Sequence, residues 1–165
     1  MGHKGDFRLM DLVRIRTAVP EDLPALRGLF RRASLSNEGD RDALLANPDA
    51  LVLADDGVAE GRTRVAVAAD GMIRGFATAL LVEDSTLELE DLFVDPDWMR
   101  QGIATRLVLD LIAQARTTKV TRITVTANPH AQAFYRSAGF ARLHDVETRF
   151  GPGSRMELAI PDKAI

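Results

Sequence analysis

The chain has 165 residues, 46% hydrophobic and 27% charged, with a net charge of -3 and an isoelectric point near 5.6; this fits one soluble domain and argues against a polyanion partner such as DNA. It has no cysteine, which excludes disulfides, thiolate metal sites and a cysteine-acyl intermediate. No apolar run approaches the roughly 18 residues of a membrane span, and Met1-Gly2-His3-Lys4-Gly5-Asp6 lacks the apolar stretch of a secretory signal, so a cytoplasmic location is expected.

Residues 1–11 are expected to be a flexible N-terminus ahead of a single domain. Residues 13–19 read as a strand, with Val13, Ile15, Thr17 and Val19 alternating against Arg14 and Arg16. Pro20-Glu21-Asp22 opens a helix with acids at its positive end. Leu23, Leu26, Leu29, Phe30 and Ala33 form its apolar stripe. Residues 36–48 are polar, with a short helix over 40–46, and residues 55–62 are a loop by composition. Strands at 64–69 and 72–82 flank Asp70-Gly71, a strong hairpin signal. Residues 86–94 form the next strand.

Residues 103–115 make the clearest helix, with Ile103, Leu107, Leu111 and Ala115 on one wide apolar face. The β-branched run 120–127 reads as a strand. A helix over 131–138 stops at Gly139. Two closing strands, 140–150 and 155–160, flank a turn at Gly151-Pro152-Gly153. The strand–helix–strand unit of 86–127 calls for a right-handed crossover, and the hairpins make the sheet mixed.

Two segments carry chemistry. The first runs from Leu89-Glu90-Asp91-Leu92-Phe93-Val94 to Met99-Arg100-Gln101-Gly102-Ile103-Ala104. A helix N-terminus offers unpaired N–H groups and a positive dipole end to a phosphate, and Gly102 and Ala104 keep side chains out of the way. Arg100 and Arg106 can add charge; a loop that merely turns is the plainer reading. Within the strand, the apolar residues switch from odd (Leu87, Leu89) to even (Leu92, Val94). That switch needs an irregularity near Glu90-Asp91, such as a bulge, unless the strand is buried on both faces. The second segment is Asn128-Pro129-His130-Ala131-Gln132-Ala133-Phe134-Tyr135-Arg136-Ser137-Ala138-Gly139-Phe140: a strand exit, a short helix bearing the only tyrosine, and a glycine stop.

Together these segments resemble the GCN5-related N-acetyltransferase (GNAT) family. Asn128, Ala131, Phe134, Tyr135, Gly139 and Phe140 match in register, and Gly102 and Ala104 match the phosphate loop. Met99 departs from the family's Arg or Gln. The resemblance covers essentially the whole chain. It implies an α/β fold with a mixed central sheet splayed between two central strands and flanked by helices. It also implies acetyl-coenzyme A as co-substrate, without a metal, and direct acetyl transfer to a primary amine in a ternary complex. On this resemblance the pyrophosphate falls to Arg100, Gln101, Gly102, Ile103, Ala104 and Thr105. The pantetheine arm falls to the backbone of Leu92, Phe93 and Val94, with Asn128, Ala131, Phe134 and Tyr135 completing the cofactor site.

An attacking amine must be neutral, so a base is needed, and a departing thiolate needs an acid. Glu90 is the candidate base, direct or through water, with Glu88 and Asp91 as neighbours. Tyr135 is the candidate acid. The plainer readings are solvent-facing carboxylates, a core aromatic and, for Asn128, a simple helix cap. His130 is titratable but sits in the first turn of a short helix, and His3 and His144 have no partner pattern. No His/Asp/Glu cluster has metal-ligand spacing.

The expected partner is a small-molecule or peptide amine, with neither nucleic acid nor membrane; a homodimer stays open. In the family the acceptor binds between the first two helices, a late hairpin and the splay, here residues 34–51, 83–85 and 146–154. Its identity is not legible. The alternative is a non-catalytic acyl-coenzyme A sensor or assembly domain.

Overall fold

A computed structural model describes residues 13–161; the expectation for residues 1–11 lies outside them. Strand β1 (Val13–Thr17) ends two residues earlier than the alternation suggests. The cause is Asp22, whose carboxylate accepts the Val19 N–H at 2.8 Å and is gripped by both Arg16 Nη atoms at 2.8 and 3.0 Å. This turns the chain through a 3-10 turn, Pro20–Asp22, into α1 (Leu23–Leu35). Next come α2 (Glu38–Ala46) and a 3-10 turn, Pro48–Leu51.

The expected loop over 55–62 contains a one-turn helix, α3 (Asp56–Ala59). Four residues are too few to show a helical period. What holds α3 is tertiary: Val58 is buried in the core, and Gly57 lets the turn approach the buried hydroxyl pair Thr63–Thr78, 2.8 Å apart.

Strands β2 (Thr63–Ala68) and β3 (Ile73–Glu83) form the expected hairpin, with Gly71 at φ 83° and Asp70 Oδ1 accepting the Met72 N–H at 2.9 Å. Strand β4 (Thr86–Val94) leads through a 3-10 turn, Pro96–Trp98, to α4 (Ile103–Ala115), the span its apolar face predicts. Then come β5 (Arg122–Ala127), α5 (Gln132–Ser137), β6 (Ala141–Thr148) and β7 (Gly151–Ala159). The last turn lies at residues 149–150, because Thr148 pairs with Gly151; its Oγ1 donates to the Gly151 carbonyl at 2.7 Å. Gly151-Pro152-Gly153, expected as the turn, is therefore strand. Pro152 is tolerated because the β5 ladder begins only at Ser154, so its missing N–H falls outside that ladder.

The seven strands form one mixed sheet in the order β1-β2-β3-β4-β5-β7-β6. β4 and β5 are parallel, which makes α4 the crossover helix; the β1–β2, β2–β3, β5–β7 and β6–β7 pairs are antiparallel. By contact density the chain forms two compact units. One comprises the described residues up to Thr78 with Asp91–Leu107; the other comprises Ala79–Glu90 with the described residues from Val108 onward. The first unit's core joins Leu26, Leu29, Val58, Val65 and Phe76, with Phe30 and Phe93 against it. Leu26, Leu29 and Phe76 are at most 1% exposed, which contributes about 1.5–3 kcal/mol each before conformational entropy. The second unit buries Leu89, Val108, Leu111, Ile123, Val125 and Met156. Its outermost strand, β6, is exposed along nearly its whole length.

A Cβ on Gly57 would lie 2.5 Å from Thr78 Cγ2 and 2.7 Å from Thr63 Oγ1. Both neighbours are β-branched and hydrogen-bonded to each other, so neither yields without cost. Gly57→Ala should therefore destabilise the fold by about 1–3 kcal/mol. Urea denaturation checks this; an unchanged midpoint would show slack around the threonine pair.

Candidate active site

The candidate residues divide between the two units. In the first, α4 begins at Ile103, and the Arg106 N–H donates to the Gly102 carbonyl at 3.0 Å. Gly102 is thus the residue flanking the helix, and the N–H groups of Gly102, Ile103, Ala104 and Thr105 have no acceptor within it. Gly102 has φ 82°, and a Cβ built there would meet nothing within 4 Å. Two residues earlier Arg100 has φ 64°, the only described non-glycine residue in that region. A side chain there costs roughly 1 kcal/mol or more, so the loop holds a conformation it would not choose alone.

Arg106 Nη1 donates to the Val13 carbonyl and ties the helix start to β1. Ile103 is buried, Gln101 and Ala104 are half-buried, and Thr105 is exposed. Leu92, Phe93 and Val94 are half-buried. The Phe93 ring packs edge-on against Phe30 at 4.9 Å and near Phe76 at 5.6 Å, so its side chain belongs to the core and only its backbone is available for another role.

In the second unit, the β4–β5 ladder runs from Thr86↔Arg122 to Leu89↔Val125 without a register shift and ends there. That end falls where the apolar alternation switches. Glu90, the next residue, is exposed. Glu88 is occupied: Arg155 grips it with both Nη atoms at 2.7 and 2.8 Å, and Thr124 Oγ1 donates to it at 2.5 Å. Partial burial works against the charged carboxyl, but the Arg155 hydrogen bonds, then Thr124 and the arginine's charge, outweigh it and hold Glu88 below the usual carboxylate range. A carboxylate so held is a poor base.

Asn128 closes the turn ahead of α5, its Oδ1 and its carbonyl accepting the Ala131 N–H at 2.9 and 3.1 Å. α5 ends in a two-bond glycine stop: Phe140 N–H donates to the Tyr135 carbonyl at 2.9 Å, and Gly139 N–H to Arg136 at 3.0 Å, with Gly139 at φ 103°. The stop brings together the rings that match in register. Tyr135 lies edge-on to Phe140 at 5.2 Å and to Phe134 at 5.3 Å, and is only 6% exposed. Among the described residues no group of three or more His, Asp or Glu side chains is set to hold a metal ion, and no helix is long and apolar enough to cross a membrane.

A family model described as an acetyltransferase (GNAT) domain matches residues 51–156. The chain belongs to the GNAT acetyltransferase family. Its fold is similar to that of the ribosomal-protein-S18-alanine N-acetyltransferase from Escherichia coli, at 24% identity, covering 93% of this chain and 97% of that one, with a TM-score of 0.69. It is also similar to the PaiA N-acetyltransferase from Thermoplasma acidophilum in complex with coenzyme A (17% identity, 89% and 98% coverage, TM-score 0.68). A third is a GNAT superfamily phosphinothricin acetyltransferase from Sinorhizobium meliloti in complex with acetyl-coenzyme A (18% identity, 93% and 92% coverage, TM-score 0.68). No curated protein sequence matches the chain.

The Glu88–Arg155 clasp is missed by sequence reasoning. Its members are 67 positions apart, and each alone is an ordinary strand charge. The folded-state pKa of Glu88 lies below its ordinary 4.5. Its stabilisation is therefore present above pH 4.5 and lost as pH falls through the folded value. Glu88→Gln should lower stability at neutral pH and shrink the loss of stability on acidification below pH 4.5. Denaturation midpoints across pH 3–7 test this; parallel curves for both proteins would mean the clasp contributes nothing.

Proposed function

We propose that this protein is an N-acetyltransferase that moves an acetyl group from acetyl-coenzyme A to a primary amine by direct transfer in a ternary complex. The observation that carries the reading is the start of α4. Its leading N–H groups point out of the helix behind a left-handed Gly102 with open space at its Cα. That surface fits a pyrophosphate, which needs donors and a close backbone approach. Family membership and the coenzyme A held in two similar structures support it.

In this reading the N–H groups of residues 102–105 take the pyrophosphate, and the exposed Arg100 adds charge. The backbone of Leu92, Phe93 and Val94 holds the pantetheine arm. Asn128 and the α5 residues Phe134 and Tyr135 line the thiol end. A thioester supplies an activated acyl carbon and a good leaving group. Glu90, direct or through water, takes the proton that frees the amine lone pair. The amine would then attack the acyl carbon as the C–S bond breaks, with Tyr135 O–H protonating the departing sulfur and the nitrogen's surplus proton restoring the tyrosine. Glu90, the first residue past the β4–β5 ladder, is the base in this reading.

Thiol release from acetyl-coenzyme A across a panel of amines tests the activity and names the acceptor; tight binding with no release for any amine would favour the sensor reading. Gly102→Val should raise the dissociation constant at least tenfold, about 1.4 kcal/mol. Valine both blocks the backbone and resists φ 82°. Calorimetry decides, and unchanged affinity in a folded variant would remove the cradle. Tyr135→Phe keeps the ring and its two edge-on contacts. It should cut turnover by about 10²-fold at nearly constant cofactor affinity, whereas full turnover would make Tyr135 purely structural.

A further inference from the structure

The connector from β4 to α4 hangs on a group of charges that the proposed reaction leaves unused. Asp95 stands at the exit of β4 with its side chain only 3% exposed. It accepts from Arg74 Nη1 at 3.1 Å, Arg32 Nη2 at 3.3 Å and the Asp97 N–H at 3.0 Å. Its own backbone is engaged as well: Asp95 N–H donates to the Arg74 carbonyl, and the Trp98 N–H donates to the Asp95 carbonyl, both at 2.8 Å.

Arg74 is placed for this by an irregularity. The β2–β3 register passes from Ala66↔Gly75 to Val67↔Ile73 and skips it, and a skipped residue can aim its side chain off the regular pleat. Its other Nη reaches Asp70 in the hairpin at 2.9 Å, and its guanidinium lies 4.6 Å from the centroid of the Trp98 ring. Its Nε is buried with no hydrogen-bond partner among the described residues. The charges alternate: Asp70, Arg74, Asp95, Arg32. They link the hairpin, the end of β4 and α1 through one buried carboxylate.

We propose that Arg74 and Asp95 are positioning residues for coenzyme A: they fix the connector 95–102, and with it the N–H groups at Gly102, through the stacked Trp98. The inference rests on the acyl-coenzyme A reading of that loop. Burying a carboxylate in an ion pair is a poor way to gain stability, since apolar residues of the same volume serve as well or better. What it supplies is geometry. The fork of Arg74 has one orientation that meets Asp70, Asp95 and the Trp98 face together, and that orientation sets the direction in which the chain leaves the strand. Arg100 and Gly102, both left-handed, then complete the turn into α4.

Calorimetric titration of the full-length protein with coenzyme A, and separately with ADP, tests this. ADP carries the pyrophosphate without the pantetheine arm. Asp95→Asn keeps the shape and removes the charge, while Arg74→Lys keeps the charge and loses the fork and the stack. Each should weaken both ligands at least tenfold, by the same factor, and shift the ligand-free emission of Trp98. The double variant should be no weaker than the worse single one, because both remove the same constraint. Val65→Ala, a cavity in the same unit's core, serves as the stability control and should leave both affinities within twofold. Folded variants that bind like wild type, additive losses, or an equal loss in Val65→Ala would each overturn the positioning role. Wild-type protein that binds neither ligand would overturn the acyl-coenzyme A reading itself, and this inference with it.

Discussion

Residue 75 has no side chain, and the first turns of α4 occupy the space where one would be. A Cβ there would come within 2.9 Å of Ile103 Cγ2, 3.1 Å of the Phe93 carbonyl and 3.2 Å of Leu107 Cδ1. Two of these atoms belong to the helix and one to the backbone of β4. Helix, β3 and β4 therefore meet at a single glycine. The start of a helix serves an anion only if its axis is held, because its partial charge and its free N–H groups point one way. Gly75 seats that axis, and the Arg106 bond to Val13 ties it to the first strand.

The second unit holds its candidate residues by other means. Tyr135 is fixed through its carbonyl, which closes the helix stop with Phe140, and through two edge-on rings. Aromatic pairs of this kind add about 0.5–1.5 kcal/mol beyond burial, and their directionality matters more here than the energy. On the strands, the Arg155 clasp secures Glu88 beside the last rung of the β4–β5 ladder. Both partners remain partly exposed, so the pair contributes modest stability. Its chemical effect is to favour the charged form of the Glu88 carboxyl.

Local rules were legible wherever one residue's conformational demand decides the outcome. Asp70-Gly71 turned the hairpin, Gly139 stopped α5, and the apolar face of residues 103–115 marked both ends of α4. Rules of periodicity failed where contact from elsewhere set the structure. α3 exists because Val58 finds a core and Gly57 finds room. The last hairpin turned at residues 149–150 because Thr148 bonds across it, although Gly151-Pro152-Gly153 carries the stronger turn composition. β1 ended early because Asp22 captured the Val19 N–H.

The candidate site divides along the same line. The amino-acid order by itself determined which backbone is approachable, at Gly102, and which rings stand in register, at Phe134, Tyr135 and Phe140. These are properties of single residues and of fixed spacing along one helix. Only the tertiary structure decided which partner each charge meets. Arg106 turns to Val13, Glu88 is taken by Arg155, and Arg74 and Asp95 are locked together across 21 positions. A charge's role depends on the nearest opposite charge and on its exposure to water, and neither is a property of position along the chain.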